Sequence, residues 1–490
     1  MSRGRWTRTA RLRFASQSLF FLLSLGVFNA WISDRRVVAA FESMHVFPSL
    51  ASLAFLSMPP CLAAFGAMLL LPLLAGRLYC SYLCPAGFLQ DLARLAALRR
   101  GAAGRPAPDQ TGLRVFVLAL ALGLTLSGSS AYHYFDHFSS MGRAFAAFRA
   151  LAGLTPKGWS MGFGLAFLLL LLLVPPAFPR WFCSALCPSG TLFMTLQRFS
   201  RYKVRISEDC ADCGLCAPAC PALCIDDGQI DQRRCINCLE CLPACGTGAI
   251  SFSRAPREPM VPVDPEGRRR FLALGGLGLL ALADGVLLKR RFDRVGFFGL
   301  RTVVPPGAKS GRQFLERCAA CGACVAACPT KVIVQAGAEQ SFLDLAKVRM
   351  DYDRSYCSYE CNACLSVCPT EALSYFPLDA KRRIKVGSSR IDKGLCVPYA
   401  KKQDCAACHE ACPTGTVVMV KRGEIFAPTL DDNYCIGCGA CQLACPTRPV
   451  KAITVTPRDT HTVAYAARQS HRKKKPGPSP VPAKPEAFPF

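Results

Sequence analysis

Cysteines at C-x2-C-x2-C-x3-C spacing recur along this chain, and that spacing belongs to iron–sulfur chemistry. Cys210, Cys213, Cys216 and Cys220 form one such run, Cys235, Cys238, Cys241 and Cys245 a second, Cys318, Cys321, Cys324 and Cys328 a third, and Cys435, Cys438, Cys441 and Cys445 a fourth. Two more runs widen only the first gap, Cys357, Cys361, Cys364 and Cys368 to three residues and Cys396, Cys405, Cys408 and Cys412 to eight, and both keep the closing C-x3-C-P. Three thiolates two residues apart let one loop wrap a corner of a cuboidal cluster, while the fourth reaches the partner cluster. Six runs therefore predict six [4Fe-4S] clusters with crossed ligands. Cys210, Cys213 and Cys216 take Cys245, and Cys235, Cys238 and Cys241 take Cys220. Cys318, Cys321 and Cys324 take Cys368, and Cys357, Cys361 and Cys364 take Cys328. Cys396, Cys405 and Cys408 take Cys445, and Cys435, Cys438 and Cys441 take Cys412. Zinc is the competing metal, but its all-cysteine sites are built from two separated C-x2-C pairs, and disulfide frameworks carry no such fixed spacing.

Two other constellations stand outside the runs. CSYLCP (Cys80, Cys84, Pro85) and CSALCP (Cys183, Cys187, Pro188) offer four thiols that jointly hold a metal or small cluster, cycle as redox thiols, or merely build a turn with inert cysteines. His133, Asp136 and His137 provide imidazole and carboxylate groups of the kind that accept protons from a quinol; an interfacial belt of aromatic and polar residues is the plainer reading. Cys61 and Cys224 belong to no pattern and read as small buried residues.

Of the 490 residues, 51% are hydrophobic, and the formal net charge is +26. The basic residues sit largely beside apolar stretches, which argues for lipid and against nucleic acid as the partner of that charge. Uncharged stretches long enough for about 30 Å of hydrocarbon predict four spans, Phe14–Ser33, Cys61–Arg77, Val115–Ala131 and Gly158–Pro179. Arg268 and Arg269 with Phe271 and Leu272 match a twin-arginine export pattern, followed by an apolar stretch to Leu288 that is either a signal cleaved near Ala283 or a fifth anchor. Lys289, Arg290 and Arg291 oppose export by the positive-inside rule.

The predicted fold class is thus an α-helical membrane domain of four spans plus α+β bacterial-type ferredoxin modules, two clusters and then four, joined by a fifth hydrophobic segment. The predicted division is residues 1–199 for the spans, 200–253 for a two-cluster cytoplasmic module, 254–304 for the linker, 305–457 for a four-cluster periplasmic module and 458–490 for a disordered basic tail. Arginines before the first span and after the second predict a bacterial inner-membrane protein with its N-terminus in the cytoplasm. Keeping every cluster cytoplasmic is the alternative.

Taken together, residues 1 to about 253, with their spans, two C-x3-C-P motifs and two clusters, resemble NapH-type ferredoxin proteins. Residues from about 266 to 457 resemble the NapG type, related to MauM, by GRRRFL, the PPGA segment at Pro305–Ala308 and four clusters, one with a long first gap. The resemblance implies a quinol dehydrogenase component. It would take electrons from the membrane quinone pool and pass them to a periplasmic reductase such as nitrate reductase, or to a small electron carrier. A polyferredoxin that assists assembly, maturation or redox sensing is the rival from another class.

Overall fold

The computed structural model describes residues 7–54, 62–101, 104–108, 110–126, 133–153, 159–254, 302–336 and 347–468, with Arg269, Ala273 and Gly276. The twin-arginine segment apart from those three positions, Cys61 and the tail beyond residue 468 lie outside the described residues; the first part of the expected disordered tail, residues 458–468, forms instead the end of a strand (Ile453–Val463) and a hydrogen-bonded extension of it.

The first part is helical. It runs through α1 (Arg8–Phe28), α2 (Arg35–Ser43), α3 (Val46–Ala54), α4 (Leu62–Ala75), α5 (Leu78–Tyr82), α6 (Pro85–Arg99), α7 (Thr111–Leu126), α8 (His137–Leu151), α9 (Trp159–Leu173), α10 (Trp181–Ala185) and α11 (Pro188–Gln197). Local chemistry sets several starts. The Thr7, Asp34 and Asp136 side chains accept backbone N–H bonds at the heads of α1, α2 and α8. Pro85 and Pro188 occupy the first turns of α6 and α11, where a missing N–H costs nothing.

The expectation of a four-span, multi-pass membrane protein is corrected here. Among the described residues no helix is both long and apolar enough to cross a membrane. At 1.5 Å per residue, the apolar helices α4, α7 and α9, with 14, 16 and 15 residues, fall short of the roughly 30 Å needed. The 21-residue α1 is long enough but contains Arg8, Arg11 and Arg13. Arg13 is buried, paired with Asp91 and Glu240. Pro72 lies inside α4. One side of these apolar stretches joins a shared core that includes Phe28, Phe41, Phe65, Phe138, Phe145, Leu171 and Phe193, while Leu22, Leu70, Leu169 and Leu173 are exposed.

The cysteine-rich parts are built on small antiparallel strand pairs. β1 (Tyr202–Ile206) pairs with β4 (Ile250–Arg254), enclosing the hairpin of β2 (Ile225–Asp226) and β3 (Gln229–Ile230). Beyond residue 302, β5 (Ile333–Gln335) pairs with β6 (Val348–Met350), β7 (Ile384–Ile391) with β10 (Ile453–Val463), and β8 (Val417–Arg422) with β9 (Ile425–Leu430). Both parts dock on the helices. Ala319, Cys321, Ala323 and Val367 belong to the same buried core as α1 and α8, so the second cysteine-rich part is continuous with the helical one.

Candidate metal centres

Five of the six runs hold a short helix, with the closing cysteine at its end or just beyond it; the run Cys235–Cys245 is formed by turns. Cys220, Cys328 and Cys445 directly follow the helices Cys216–Ala219, Ala323–Ala327 and Ala440–Ala444 in extended backbone, which turns their sulfur atoms away from their own loops. Four cavities result. Cys235, Cys238 and Cys241 line a void of about 320 Å³ together with Cys220 and Cys224. Cys357, Cys361 and Cys364 line one of about 320 Å³ with Cys328. Cys396, Cys405 and Cys408 share one of about 350 Å³ with Cys445, and Cys435, Cys438 and Cys441 one of about 270 Å³ with Cys412.

The other two sets are grouped as well. Cys216 feels Cys210, Cys213 and Cys245, with burial the main cause of its raised pKa. Burial pushes the Cys321 thiol up to about 12, with Cys368 and Cys318 adding to the shift. Among the described residues no three His, Cys, Asp or Glu side chains converge tightly enough for a single ion; the thiols ring voids instead. A void lined by four soft sulfur donors fits a cuboidal iron–sulfur cluster. Burial first, with repulsion between neighbouring thiols adding to it, raises many of these groups, among them Cys238, Cys324, Cys364 and Cys438, so holding them as thiolates calls for bound positive charge.

The C-x3-C-P cysteines meet in one place. Cys80, Cys84, Cys183 and Cys187 are all buried in one core. Burial and then their mutual repulsion raise Cys84 and Cys187. Their surroundings repeat as R-x2-C-x3-C-P-x-G at 77–87 and 180–190, and the two copies clasp each other. Arg180 Nη1 donates to the Cys80 carbonyl (2.7 Å), and Arg77 Nη2 to the Cys183 carbonyl (3.4 Å). A Cβ at Gly190 would stand 2.8 Å from the Cys183 oxygen, and one at Gly87 would collide with the Arg180 guanidinium, so the clasp needs both glycines. Gln90 Nε2 also donates to Cys183 Sγ at 3.1 Å. Arg180 is fixed in turn by Asp91, whose carboxyl lies below its ordinary range because Arg180 and Arg13 outweigh the cost of its burial.

This four-thiol site lies between the cysteine sets. On one side, Arg94 donates to the Cys220 carbonyl (2.7 Å), Tyr82 to Cys238 (3.1 Å) and Gln197 to Cys235 (3.3 Å). Ala222 and Ile236 line both the Cys235–Cys241 cavity and a slot of about 250 Å³ beside Cys183, Arg77 and Arg180. On the other side, the Tyr79 hydroxyl meets His137 Nε2 at 3.2 Å. His137 begins α8, whose Gly142 and Arg149 touch Cys321 and Gly322. Further on, Cys357 N donates to the Cys438 carbonyl (2.9 Å), and the Tyr352 hydroxyl donates to the Gly437 carbonyl. The sets thus follow one another from Cys210 through the four-thiol site to Cys396.

Of the proposed proton acceptors, Asp136 and His137 are side by side, Oδ1 to Nδ1 at 3.6 Å, both buried. His133 is buried too, its ring stacked on Tyr134 and its carbonyl held by Arg143. The sequence reading missed Tyr79, His45 and Glu42. His45 lies with its ring 5.3 Å from that of His137, and burial drives its pKa down to about 3. Glu42 is fully buried, and burial raises its carboxyl well above the usual range. The repeated R-x2-C-x3-C-P-x-G was the signal available for Arg77 and Arg180; His45 and Glu42 had none.

Comparison with known proteins agrees with the sulfur chemistry. A family described as a 4Fe-4S binding domain matches residues 57–106 and 160–207, each stretch holding one C-x3-C-P motif. Further 4Fe-4S binding domains match 207–223 and 229–251, and a 4Fe-4S dicluster domain matches 317–372 and 403–448. The methylamine utilization ferredoxin-type protein MauN of Methylorubrum extorquens is 30% identical over 217 residues, 41% of this chain and 71% of that protein. The ferredoxin-type protein NapH of Haemophilus influenzae is 26% identical over 270 residues, 51% of this chain and 88% of that one. An uncharacterized protein of Methanocaldococcus jannaschii, MJ0749, is 28% identical over 243 residues, 49% of this chain and 86% of that one. No solved structure matches.

Proposed function

This chain belongs to the NapH/MauN ferredoxin-type family, and on that premise we propose that it carries electrons along a row of six [4Fe-4S] sites with a seventh iron–sulfur site at Cys80, Cys84, Cys183 and Cys187. When bound, such clusters supply reversible one-electron chemistry. The observation that carries the reading is the order of the thiol sets. The four-thiol site fills what would otherwise be a gap between Cys220 and Cys321, and the two matches to a 4Fe-4S binding domain over its halves support placing a cluster there.

The chain's own residues isolate and hold these sites. Arg77 and Arg180 supply buried positive charge against thiolate negative charge, and the aromatic core around them excludes water. We place the electron donor, a quinol, near Tyr79, Asp136 and His137, where a neutral imidazole beside a carboxylate takes up the proton that must leave with each electron. The part beyond residue 302 is read as a NapG-type module fused to the first, and the acceptor as a reductase such as nitrate reductase.

The test is iron and acid-labile sulfide content of anaerobically purified full-length protein, with EPR during titration by a water-soluble quinol analogue. Iron and sulfide filling all seven sites, together with EPR signals that grow on quinol addition, is the expected result. Clusters that stay oxidised under quinol but reduce with dithionite would favour the assembly or sensing role instead. Zinc in the loops would end the proposal.

A further inference from the structure

The closing cysteines share a local device with one exception. Cys245, Cys328, Cys368, Cys412 and Cys445 are each followed two residues later by a threonine whose Oγ1 lies 3.4, 3.6, 3.8, 3.6 and 3.2 Å from the cysteine sulfur. After Cys220 the equivalent position is Ala222, which has no hydroxyl. In its place Cys224 brings its own Sγ to 3.4 Å from Cys220 Sγ. None of the other five has a cysteine four residues on: Ala249, Val332, Ala372, Thr416 and Pro449 stand there.

The backbone is shaped for this approach. Leu223 takes a left-handed conformation, φ +45°, and its N–H bonds the Cys220 carbonyl, folding the chain back. The Cys224 N–H then points at Cys220 Sγ (3.5 Å), and the Cys224 carbonyl is tied to Asp231 N (2.8 Å). Cys224 is as buried as Cys220 and lines the same cavity as Cys235, Cys238 and Cys241. It is a fifth thiol at a site with four corners to fill.

We propose that Cys224 is the hydrogen-bond donor that sets the reduction potential of the cluster held by Cys220, Cys235, Cys238 and Cys241, doing there what a threonine does at the other five. The inference rests on the cluster reading above. A sulfur bound to iron carries no proton, so of the two thiols only Cys224 can donate. A donor to a ligand sulfur favours the reduced, more negative cluster and raises its potential. An S–H is a weaker donor than an O–H, so this cluster is set apart from its five neighbours.

The experiment is an EPR-monitored redox titration of the full-length wild type, Cys224→Ala, Cys224→Ser and the double variant Ala222→Thr/Cys224→Ala, with iron counted in each. The component concerned is identified as the one that Cys235→Ala abolishes. Cys224→Ala should shift that component alone to a more negative midpoint at unchanged iron, and Cys224→Ser and the double variant should return it to or above the wild-type value. Unchanged midpoints in all variants would overturn the inference, as would loss of iron in Cys224→Ala, which would make Cys224 a ligand. Absence of iron from the wild type would instead sink the cluster reading itself.

Discussion

Gly142 of α8 rests on Cys321: a Cβ added to Gly142 would lie 2.6 Å from the Cys321 carbonyl oxygen and 2.9 Å from its Cα. This contact seals the helical part to the second cysteine-rich part, beside the end of α8 that holds His137. Gly142→Val should force the seam open. Overpacking of this kind costs about 1–3 kcal/mol, so the variant should unfold at lower temperature. Electrons entering through the quinol should reach the second group of clusters more slowly, read by freeze-quench EPR. An unchanged thermal midpoint would show that the seam is not tight.

Crossed grouping predicts which cysteine breaks which site. Cys368 lies with Cys318, Cys321 and Cys324, away from its run-mates Cys361 and Cys364. Cys368→Ala should therefore damage the same EPR component as Cys318→Ala and spare the one that Cys361→Ala destroys. The reverse pattern would mean that each run closes on itself.

Arg180 is bound to Asp91 and to the Cys80 carbonyl with all partners buried. Removing Arg180 takes from Asp91 one of its two buried counter-charges, Arg13 being the other, so the loss should be roughly 3 kcal/mol, the lower end for a broken buried pair. Arg77 makes carbonyl bonds without a carboxylate partner among them. Arg77→Ala should cost less, roughly 1–3 kcal/mol. Urea unfolding of both variants checks the order, and equal losses would argue against the pairing as the source of the difference.

The contrast between what was and was not readable has a physical cause. Cluster ligands sit at spacings fixed by bond geometry, so the runs are visible without a fold, as is the paired C-x3-C-P. Apolar length is a weaker guide. The stretches ending at Arg77 and Pro179 have the composition of spans, yet the described helices within them, α4 and α9, run for 14 and 15 residues and place Phe65, Met68 and Leu171 in the helical core. Hydropathy measures what a residue avoids and does not say whether lipid or protein replaces water. His45, in the turn after α2, meets Tyr79 of α5 and His137 of α8, while Glu42 of α2 is buried within reach of the Glu371 charge, and no local pattern marks such meetings between segments distant in sequence.

Glu42 offers a pH test whose sign is fixed by its environment. Its carboxyl is raised by burial, and next by the Glu371 charge, so the folded chain keeps the proton after the unfolded chain has lost it. Below the unfolded value of 4.5 the group is protonated in both states and pH has no leverage. Above it, stability falls as pH rises, by about 1.4 kcal/mol per unit until the folded pKa is reached. Glu42→Gln lacks this slope. The variant's advantage in unfolding free energy should grow between pH 5.5 and 8, a range that avoids acid loss of the clusters. A constant difference across that range would contradict a raised carboxyl.

The donor site is tested by separating proton uptake from electron uptake. His137 and Tyr79 are hydrogen-bonded beside the four-thiol site, and burial lowers the His137 pKa while Asp136 partly restores it. Near pH 7 the imidazole is then neutral and able to accept. Losing a positioned proton acceptor costs about 10²–10⁴-fold in rate, so His137→Phe should slow reduction by quinol analogue by that order. Reduction by dithionite, which brings no proton to the site, should be unchanged in the same variant. Tyr79→Phe keeps the ring and removes only the hydroxyl, so it should give a smaller loss of the same kind. A variant slowed equally toward both reductants would mean that His137 supports the fold around Cys80 and has no part in taking protons from the donor.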